Sequence, residues 1–385
     1  MLAKPFRIYI IATEESGDVL GADMLIELRR RYPQAQIAGI GGEAMRLAGL
    51  KESLFPMSDL SLMGVAEILP HLPKLIGRIH QTAQDIKDFD PDIVLSVDGP
   101  DFCFRVQKKI KKYKLKAKQI HCVAPTVWAW RERRAKKIAK FLDGILCLFP
   151  FEPPYFEKYG LQAVYTGHPF LTRLLNKKGR RPTSILGQAS KVQTIGVYFG
   201  SRSQEIKLHA PIFAEAIALF LNYAVRDYRI IVPTFAKYED EIKEAFEQAG
   251  LTADIEFVTD KKKRESVMPY LDYALAASGT VGLELALCEV LHCIGYKTST
   301  LTYTIVKNLV KTKYAHLANI IMQDEIVPEF LQNDCTPQRL ADGMMSLLDN
   351  AEKQEKGFKE IKSLMKTKRT PSQTAVDFIE DVLSS

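Results

Sequence analysis

The chain predicts an α/β protein built from two doubly wound domains, and three features carry that prediction. Short apolar runs alternate with amphipathic stretches along its 385 residues, the pattern of parallel strands joined by crossover helices. Several of those runs stop at small and polar residues, where the carboxyl ends of open sheets keep their chemistry. The chain is also longer than one hydrophobic core usually serves, so two domains of about 150 to 200 residues are expected.

Strands are expected at about 6–12, 36–40, 92–98, 119–123, 144–148 and 163–166 in the first half. The opening run Phe6-Arg7-Ile8-Tyr9-Ile10-Ile11-Ala12 is short and passes straight into Thr13-Glu14-Glu15-Ser16-Gly17-Asp18, so it reads as a strand and not as a targeting segment. A second series is expected at about 194–199, 229–233, 254–258, 273–277 and 292–296. The charged stretch Asn176 to Thr183, with Gly179 and Pro182, has linker chemistry. Beyond about residue 337 the apolar spacing is helical, through Leu340, Met344, Met345, Leu347 and Leu348. The division expected is 1–180, 181–345 and a helical tail 346–385 packing back on the first domain. Architecture repeats between the halves; no short-period sequence repeat does.

Composition narrows the function classes. No window approaches the roughly 20 apolar residues of a spanning helix. The six cysteines show no C-x-x-C spacing and sit in apolar surroundings, which predicts free thiols in a reducing cytoplasm. The seven histidines are scattered, each read as structural, so no metal site is expected. The net charge of +7 is uneven, with lysines crowded between 108 and 118 and basic residues from Arg131 to Lys140. Such clusters suit an anionic membrane surface or another polyanion, against the plainer reading of solvated helix faces.

Four segments of the first half carry candidate chemistry. The run Ile93-Val94-Leu95-Ser96-Val97 stops at Asp98-Gly99-Pro100-Asp101-Phe102, placing a carboxylate at a strand end, where it can take a proton from an alcohol. Asp98 is the better base, with Asp101 read as a helix cap. The turn from Glu14 to Asp18, leading to Gly21, opens a helix whose N–H groups can receive an oxygen or phosphate; plain capping by Ser16 or Asp18 is the competing reading. Both tryptophans fall in Ala124-Pro125-Thr126-Val127-Trp128-Ala129-Trp130-Arg131, beside a basic helix, and are expected to face a ligand or membrane. Leu60, Leu62, Met63, Val65, Ile68, Leu69, Leu72, Leu75 and Ile76 make an apolar segment interrupted by Pro70 and Pro73. Such a segment is either buried or meets something greasy.

In the second half, Thr194-Ile195-Gly196-Val197-Tyr198-Phe199 runs into Gly200-Ser201-Arg202 and then a helix, which suits a diphosphate bound without metal. Ala276-Ala277-Ser278-Gly279-Thr280 repeats the logic, and Glu284, one turn on, is placed to reach a ribose diol. No G-x-x-x-x-G-K-[ST] occurs, so the pattern is that of nucleotide-sugar binding and not of a Walker site.

Two Rossmann-like domains, an acid in the first and diphosphate loops in the second, describe the B-type glycosyltransferase plan. Over essentially its whole length the chain resembles the lipid-A-disaccharide synthase family. The motifs, in order, are Glu14-Glu15-Ser16-Gly17-Asp18, Leu62-Met63-Gly64, Val97 to Phe102, Pro125 to Arg131, Phe149-Pro150-Phe151-Glu152, Gly167-His168-Pro169, Gly200-Ser201-Arg202 and Ala277 to Thr280. The resemblance implies an inverting transfer from UDP-2,3-diacylglucosamine to the 6-hydroxyl of 2,3-diacylglucosamine 1-phosphate, giving a β-1,6-linked disaccharide and UDP in lipid A biosynthesis. It implies a peripheral enzyme on the cytoplasmic face of a Gram-negative inner membrane, no cofactor, no nucleic acid partner and a homodimer. Asp98 falls on the family's proposed base, with Glu14 as partner or rival, and Arg202 on a phosphate contact. Gly200, Ser201, Ser278, Gly279, Thr280, Glu284 and Asn319 fall on the nucleotide site. Leu60 to Ile76, Trp128, Trp130 and Arg131 fall on the acceptor, acyl or membrane surface. Thr13, Phe199 and Ala318 stand where the family usually has Gly, Pro and Pro. Another UDP-sugar enzyme, such as an epimerase or soluble-acceptor transferase, shares the nucleotide half; a polyanion-binding module explains only the basic clusters.

Overall fold

The computed structural model describes residues 5–60, 65–130, 132–176, 192–251, 253–299, 312–349 and 351–385. Leu62, Met63 and Arg131 lie outside the described residues, as do residues 177–183 of the expected linker and the side chains of Val65, Ile68, Leu69, Leu72 and Trp130. The chain forms two compact units, the first of Met1–Thr172 with Met365–Ser385 and the second of Arg173–Leu364.

The first unit holds β1 (Arg7–Ala12), β2 (Gln36–Ile40), β3 (Ile93–Val97), β4 (Lys118–Cys122), β5 (Gly144–Cys147) and β6 (Gln162–Tyr165). They form one parallel sheet in the order β2-β1-β3-β4-β5-β6. The second holds β7 (Gln193–Tyr198), β8 (Tyr228–Pro233), β9 (Ile255–Val258), β10 (Tyr273–Ala277), β11 (Leu291–Tyr296) and β12 (Glu329–Leu331). Its order is β12-β11-β10-β7-β8-β9, again parallel. Every expected strand is present within a residue or two. β12 was not expected, because three edge residues after Pro328 carry no period-2 signal.

Continuous apolar strands belong in sheets covered on both faces. Ile8, Ile10 and Leu95 pack into one core of the first unit, with Tyr9, Ile11 and Val94 in another; each such side chain contributes about 1.5–3 kcal/mol by leaving water. Register is pinned at the opposite end from the candidate loops by a recurring device. Asp92 accepts from Arg7 N at 2.7 Å, Asp143 from Gln119 N at 2.8 Å and Asp272 from Thr194 N at 2.8 Å. Each aspartate returns its own N–H to the same residue's carbonyl. Three strand starts are thereby tied to a neighbour by reciprocal bonds.

The helix Val65–Phe89 runs unbroken through Pro70 and Pro73, contrary to the expected interruption. Each proline removes one helical hydrogen bond, and the turns on either side carry the helix on. The tail divides where the sequence kept it together. The helix Pro371–Ser384 packs on the first unit, its Ala375, Val376, Ile379 and Val382 joining that core, with Arg31 paired to Asp377 and Glu380 at 2.6 Å each. The helix Ala351–Met365 instead packs on the second unit. Gln354 exchanges hydrogen bonds with the backbone of His292 at 3.0 and 2.8 Å, and Phe358 stacks on the His292 ring.

Candidate active site

The first sheet reverses its strand order between β1 and β3, the second between β7 and β10. Ligands of open α/β sheets bind outside the carboxyl ends of the strands at such points. The loops at Glu14–Asp18, Asp98–Phe102, Gly200–Arg202 and Ser278–Thr280 follow those four strands.

Asp98 follows β3 and is half-buried. Its φ is +57° and that of Gly99 is +49°, so two successive residues are left-handed, a conformation Asp tolerates and Gly favours. Asp98 N donates to Cys122 O at 3.0 Å, carrying the β3–β4 pairing one residue past the strand. Among the described residues the carboxylate is lightly held: Gly99 N donates to Oδ1 at 2.8 Å, and Ser16 Oγ approaches Oδ2 at 3.4 Å. A Cβ on Gly99 would run into the Thr13 side chain. Val123, after the adjacent β4, has φ +75°, an outlier for a β-branched residue. Backbone strain thus gathers at this edge, as it does at functional sites. Beneath the turn, Ser96 Oγ meets His121 Nδ1 at 2.7 Å with both side chains buried. Burial lowers His121 to about 3, so its ring is neutral.

Around Asp98 two capping expectations are corrected. Glu14, exposed, is the N-cap residue of the helix Glu15–Arg31 without a side-chain capping bond. Neither Ser16 nor Asp18 caps that helix. Asp18 is buried and accepts from Gly42 N, Ala44 N and Met45 N at 2.6, 2.9 and 3.2 Å, so it caps the next helix, Glu43–Ala48. Asp101 is no cap either, since Gly99 holds that position; it is exposed in the first helical turn, 3.6 Å from Arg134.

Trp128 is the clearest correction. It is 8% exposed, its indole N–H donates to Glu152 Oε1 at 3.2 Å and its ring meets Phe151 edge-on, so it is no ligand platform. Glu152 is itself buried and accepts from Leu148 N and Phe149 N at 3.1 and 3.0 Å. Desolvation raises it to about 7 against those three donors. The motif 149–152 is therefore a buried tie between the loops after β4 and β5. Of the apolar segment, Leu60 and Leu75 pack against the core, whereas Ile76 is 46% exposed. Asp59 anchors it through Lys74 and Arg78 at 2.8 and 2.5 Å, and the Lys74 bond foremost lowers the Asp59 pKa.

In the second unit Gly200 has φ +113° and lets the chain turn into the helix Ser203–Tyr223. The amides expected to receive phosphate here are occupied. Ser201 N and Arg202 N both donate to Glu205 Oε2, at 2.9 and 3.2 Å, while Arg202 Nη1 meets Oε1 at 3.2 Å. Glu205 escaped the sequence reading, although Arg202-x-x-Glu205 ahead of an apolar run is the spacing of a capping box. One turn on, His209 is buried and bridges Phe199 O at 2.9 Å and Lys297 N at 3.0 Å. Phe199 itself is core, packed on Phe213 and Phe246.

The loop Ser278-Gly279-Thr280 is open by contrast. Gly279 and Thr280 are exposed, and no atom of the described residues lies within 4 Å of a Cβ on Gly279. Gly279 begins the helix Thr280–Leu287 with no side-chain cap, which leaves an N-terminus suited to an anion. Glu284 is half-buried on that helix and helps raise the pKa of the buried Tyr198, after burial itself and Cys288. Asn319 is fully buried. Its Oδ1 accepts from Ile326 N and Val327 N, and its Nδ2 donates to Val327 O and Glu329 Oε1, all at 2.8–2.9 Å. That amide has no hydrogen-bonding capacity left for a nucleotide, so Asn319 shapes the segment instead. Glu329 also accepts from Ala315 N and His316 N at 2.8 and 2.9 Å. Ala318 N donates to His316 Nδ1 at 3.0 Å, which puts the His316 proton on Nε2, 2.9 Å from His292 Nε2. A Cβ on Gly282 would strike that His316 ring. The pair thus locks the 315–319 turn against the helix that follows the open loop.

The profile of a family described as lipid-A-disaccharide synthetase matches residues 8–380. A lipid-A-disaccharide synthase of Rhodospirillum centenum is 40% identical over 348 residues, covering 90% of this chain and 86% of that one. Among solved structures, a UDP-GlcNAc 2-epimerase from Neisseria meningitidis bound to UDP-GlcNAc aligns with TM-score 0.63 at 12% identity, covering 99% of this chain and all (100%) of that one. MurG of Acinetobacter baumannii aligns with TM-score 0.59 at 14% identity, covering 98% and 100%. At those identities the two structures share the fold, the B-type plan of glycosyltransferases and epimerases.

Proposed function

The chain belongs to the lipid-A-disaccharide synthase family, a glycosyltransferase of lipid A biosynthesis, and from that premise we propose its substrates and the roles of its residues. The donor is UDP-2,3-diacylglucosamine and the acceptor 2,3-diacylglucosamine 1-phosphate. Asp98 takes the proton of the acceptor's 6-hydroxyl as that oxygen attacks the anomeric carbon on the face opposite UDP. The bond from that carbon to the diphosphate oxygen breaks, UDP leaves with the electron pair, and the configuration inverts to a β-1,6 link. Asp98 then returns its proton to water. The departing charge falls to the N–H groups and hydroxyls of Ser278 and Thr280 and to the Arg202 guanidinium, so turnover needs no metal.

The observation that carries this reading is Asp98 itself: a half-buried carboxylate on a left-handed turn at the switch point of the first sheet. A base has to keep a lone pair available, and Asp98 spends little of its own. The acyl chains are assigned to the Leu60–Ile76 segment, where Ile76 is exposed. The exposed basic residues Lys136, Lys137 and Lys140 support reversible adhesion to the anionic cytoplasmic face of the inner membrane; no helix among the described residues is long and apolar enough to cross one. The test is UDP release from the donor in detergent, with and without acceptor and with EDTA. Acceptor-dependent, EDTA-resistant release supports the reading. Release without acceptor points to an epimerase or hydrolase, and a high-salt wash that leaves the protein on membranes removes the electrostatic part.

A further inference from the structure

We propose that Glu205 is a positioning residue for the transfer: it fills the anion nest of the Gly200–Arg202 loop permanently and thereby aims the Arg202 guanidinium at the donor diphosphate. The inference rests on the reading of the second unit as the UDP-sugar half.

The geometry separates two uses of one loop. Consecutive N–H groups converging on a single oxygen form a ready anion site, and Ser201 N and Arg202 N converge here on Glu205 Oε2. The carboxylate is no casual visitor. Its side chain is only 14% exposed, its second oxygen takes Arg202 Nη1 at 3.2 Å and stands 3.5 Å from Tyr296 OH. Gly200 accommodates it closely, since a Cβ there would lie 2.7 Å from Oε2 and 2.8 Å from the Glu205 Cβ. A phosphate at these amides would have to expel a charged group held by three donors and packed against the turn. Glu329 fills a second pair of amides in the same unit, at Ala315 and His316. No described residue accepts from the amides at Ser278–Thr280.

What the Gly200–Arg202 loop offers a nucleotide is therefore its guanidinium. The Arg202 side chain is 71% exposed, and a free arginine surrenders rotamer entropy whenever it is held in one pose. Glu205 pins one edge of the fork and leaves the rest facing outward. The consequence lies in the transition state, because the diphosphate gains charge as its bond to the sugar breaks and an arginine already aimed meets that charge without rearranging.

The test is a double-mutant cycle between Glu205→Gln and Arg202→Lys, read as kcat and donor KM in the acceptor-dependent assay. Glutamine keeps a carbonyl for the two amides but turns an NH2 toward the guanidinium, so the loop stays while the arginine loses its anchor. We expect kcat to fall about ten- to a hundredfold with donor KM within about threefold, the split of an interaction made in the transition state. Arg202→Lys, a change on an exposed side chain that spares the fold, is expected to show the same split. In that background Glu205→Gln adds less than about a further twofold, because the two act as one unit. Wild-type kcat in Glu205→Gln, effects that multiply, or tighter UDP binding without the carboxylate would each overturn the proposal, the last by making Glu205 a competitor that phosphate displaces. Absence of acceptor-dependent UDP release in the wild type would instead bring down the functional reading beneath it.

Discussion

The loops after β3 and β7 occupy equivalent places, each at the switch point of its sheet, yet they are organised in opposite ways. Asp98 is placed by main chain: two left-handed residues, one N–H bond to Cys122 O and a glycine with no room for a methyl group. Arg202 is placed by side chain, through Glu205. The difference follows from what each group has to do. A short carboxylate with two torsions is positioned once its backbone is fixed, and every donor aimed at it would weaken it as a base. A long guanidinium has no position until something grips it. Elsewhere the molecule uses carboxylates as internal caps, with Asp18, Glu152, Glu205 and Glu329 each filling backbone N–H groups. Asp98 is set apart by how little the described residues use it, through one backbone N–H and one long serine contact.

The largest expected effect tests that distinction directly. Asp98→Asn keeps the shape and the hydrogen bond from Gly99 but cannot take a proton, so acceptor-dependent UDP release should fall about a hundred- to ten-thousandfold. UDP affinity, measured by calorimetry, should not change. A substantial loss of affinity would mean that the turn serves the nucleotide as well.

Next comes the buried counterpart, Glu152. Burial lifts it from an ordinary 4.5 to about 7, so between those values the folded protein holds a proton that the unfolded chain has released. Stability from this group is fully present below about pH 4.5 and has gone above about pH 7, a loss of about 3 kcal/mol for a shift of this size. Urea unfolding of wild type against Glu152→Gln should isolate that slope, the wild type losing stability relative to the variant as the pH rises. Because Trp128 donates to this carboxylate, tryptophan fluorescence should titrate near pH 7 in the wild type alone. A flat profile would mean that the three donors hold Glu152 ionised throughout.

Gly99→Ala is a smaller test of the main-chain side of the comparison. A left-handed alanine meeting the Thr13 side chain should cost about 2 kcal/mol, seen in the unfolding midpoint. Turnover should fall further than stability alone explains, since Asp98 moves with its neighbour.

Much of this was readable from the residues alone. Strand ends announce themselves where an apolar run meets Asp98-Gly99-Pro100 or Gly200-Ser201-Arg202, because a buried parallel strand has to be apolar and its exit must turn. The sheet orders that put each exit at the switch point of its own sheet were not readable, being set by long-range pairing. Trp128 misled because a tryptophan beside basic residues looks exposed, and its partner Glu152 lies 24 residues on. Asn319 misled in the same way: the acceptors that consume its amide, Val327 O and Glu329, sit 8 and 10 residues later. Glu205 was readable in principle, three residues from Arg202 and in capping-box register. A cation at a helix start draws attention to a ligand before the acid that holds it.

The smallest expected effect decides whether the contrast between the two loops is real. Ser16 Oγ reaches the Asp98 carboxylate at 3.4 Å, and a bond so long is weak. If main chain places the base, Ser16→Ala should change kcat by less than about fivefold, the equivalent of under about 1 kcal/mol. Ser16 would then stand to Asp98 as Glu205 does not stand to Arg202. A loss as deep as that expected for Glu205→Gln would show that the first unit, too, orients its reactive group through a partner. The left-handed turn would then supply only the approach and the serine the aim, with both switch points built on one principle.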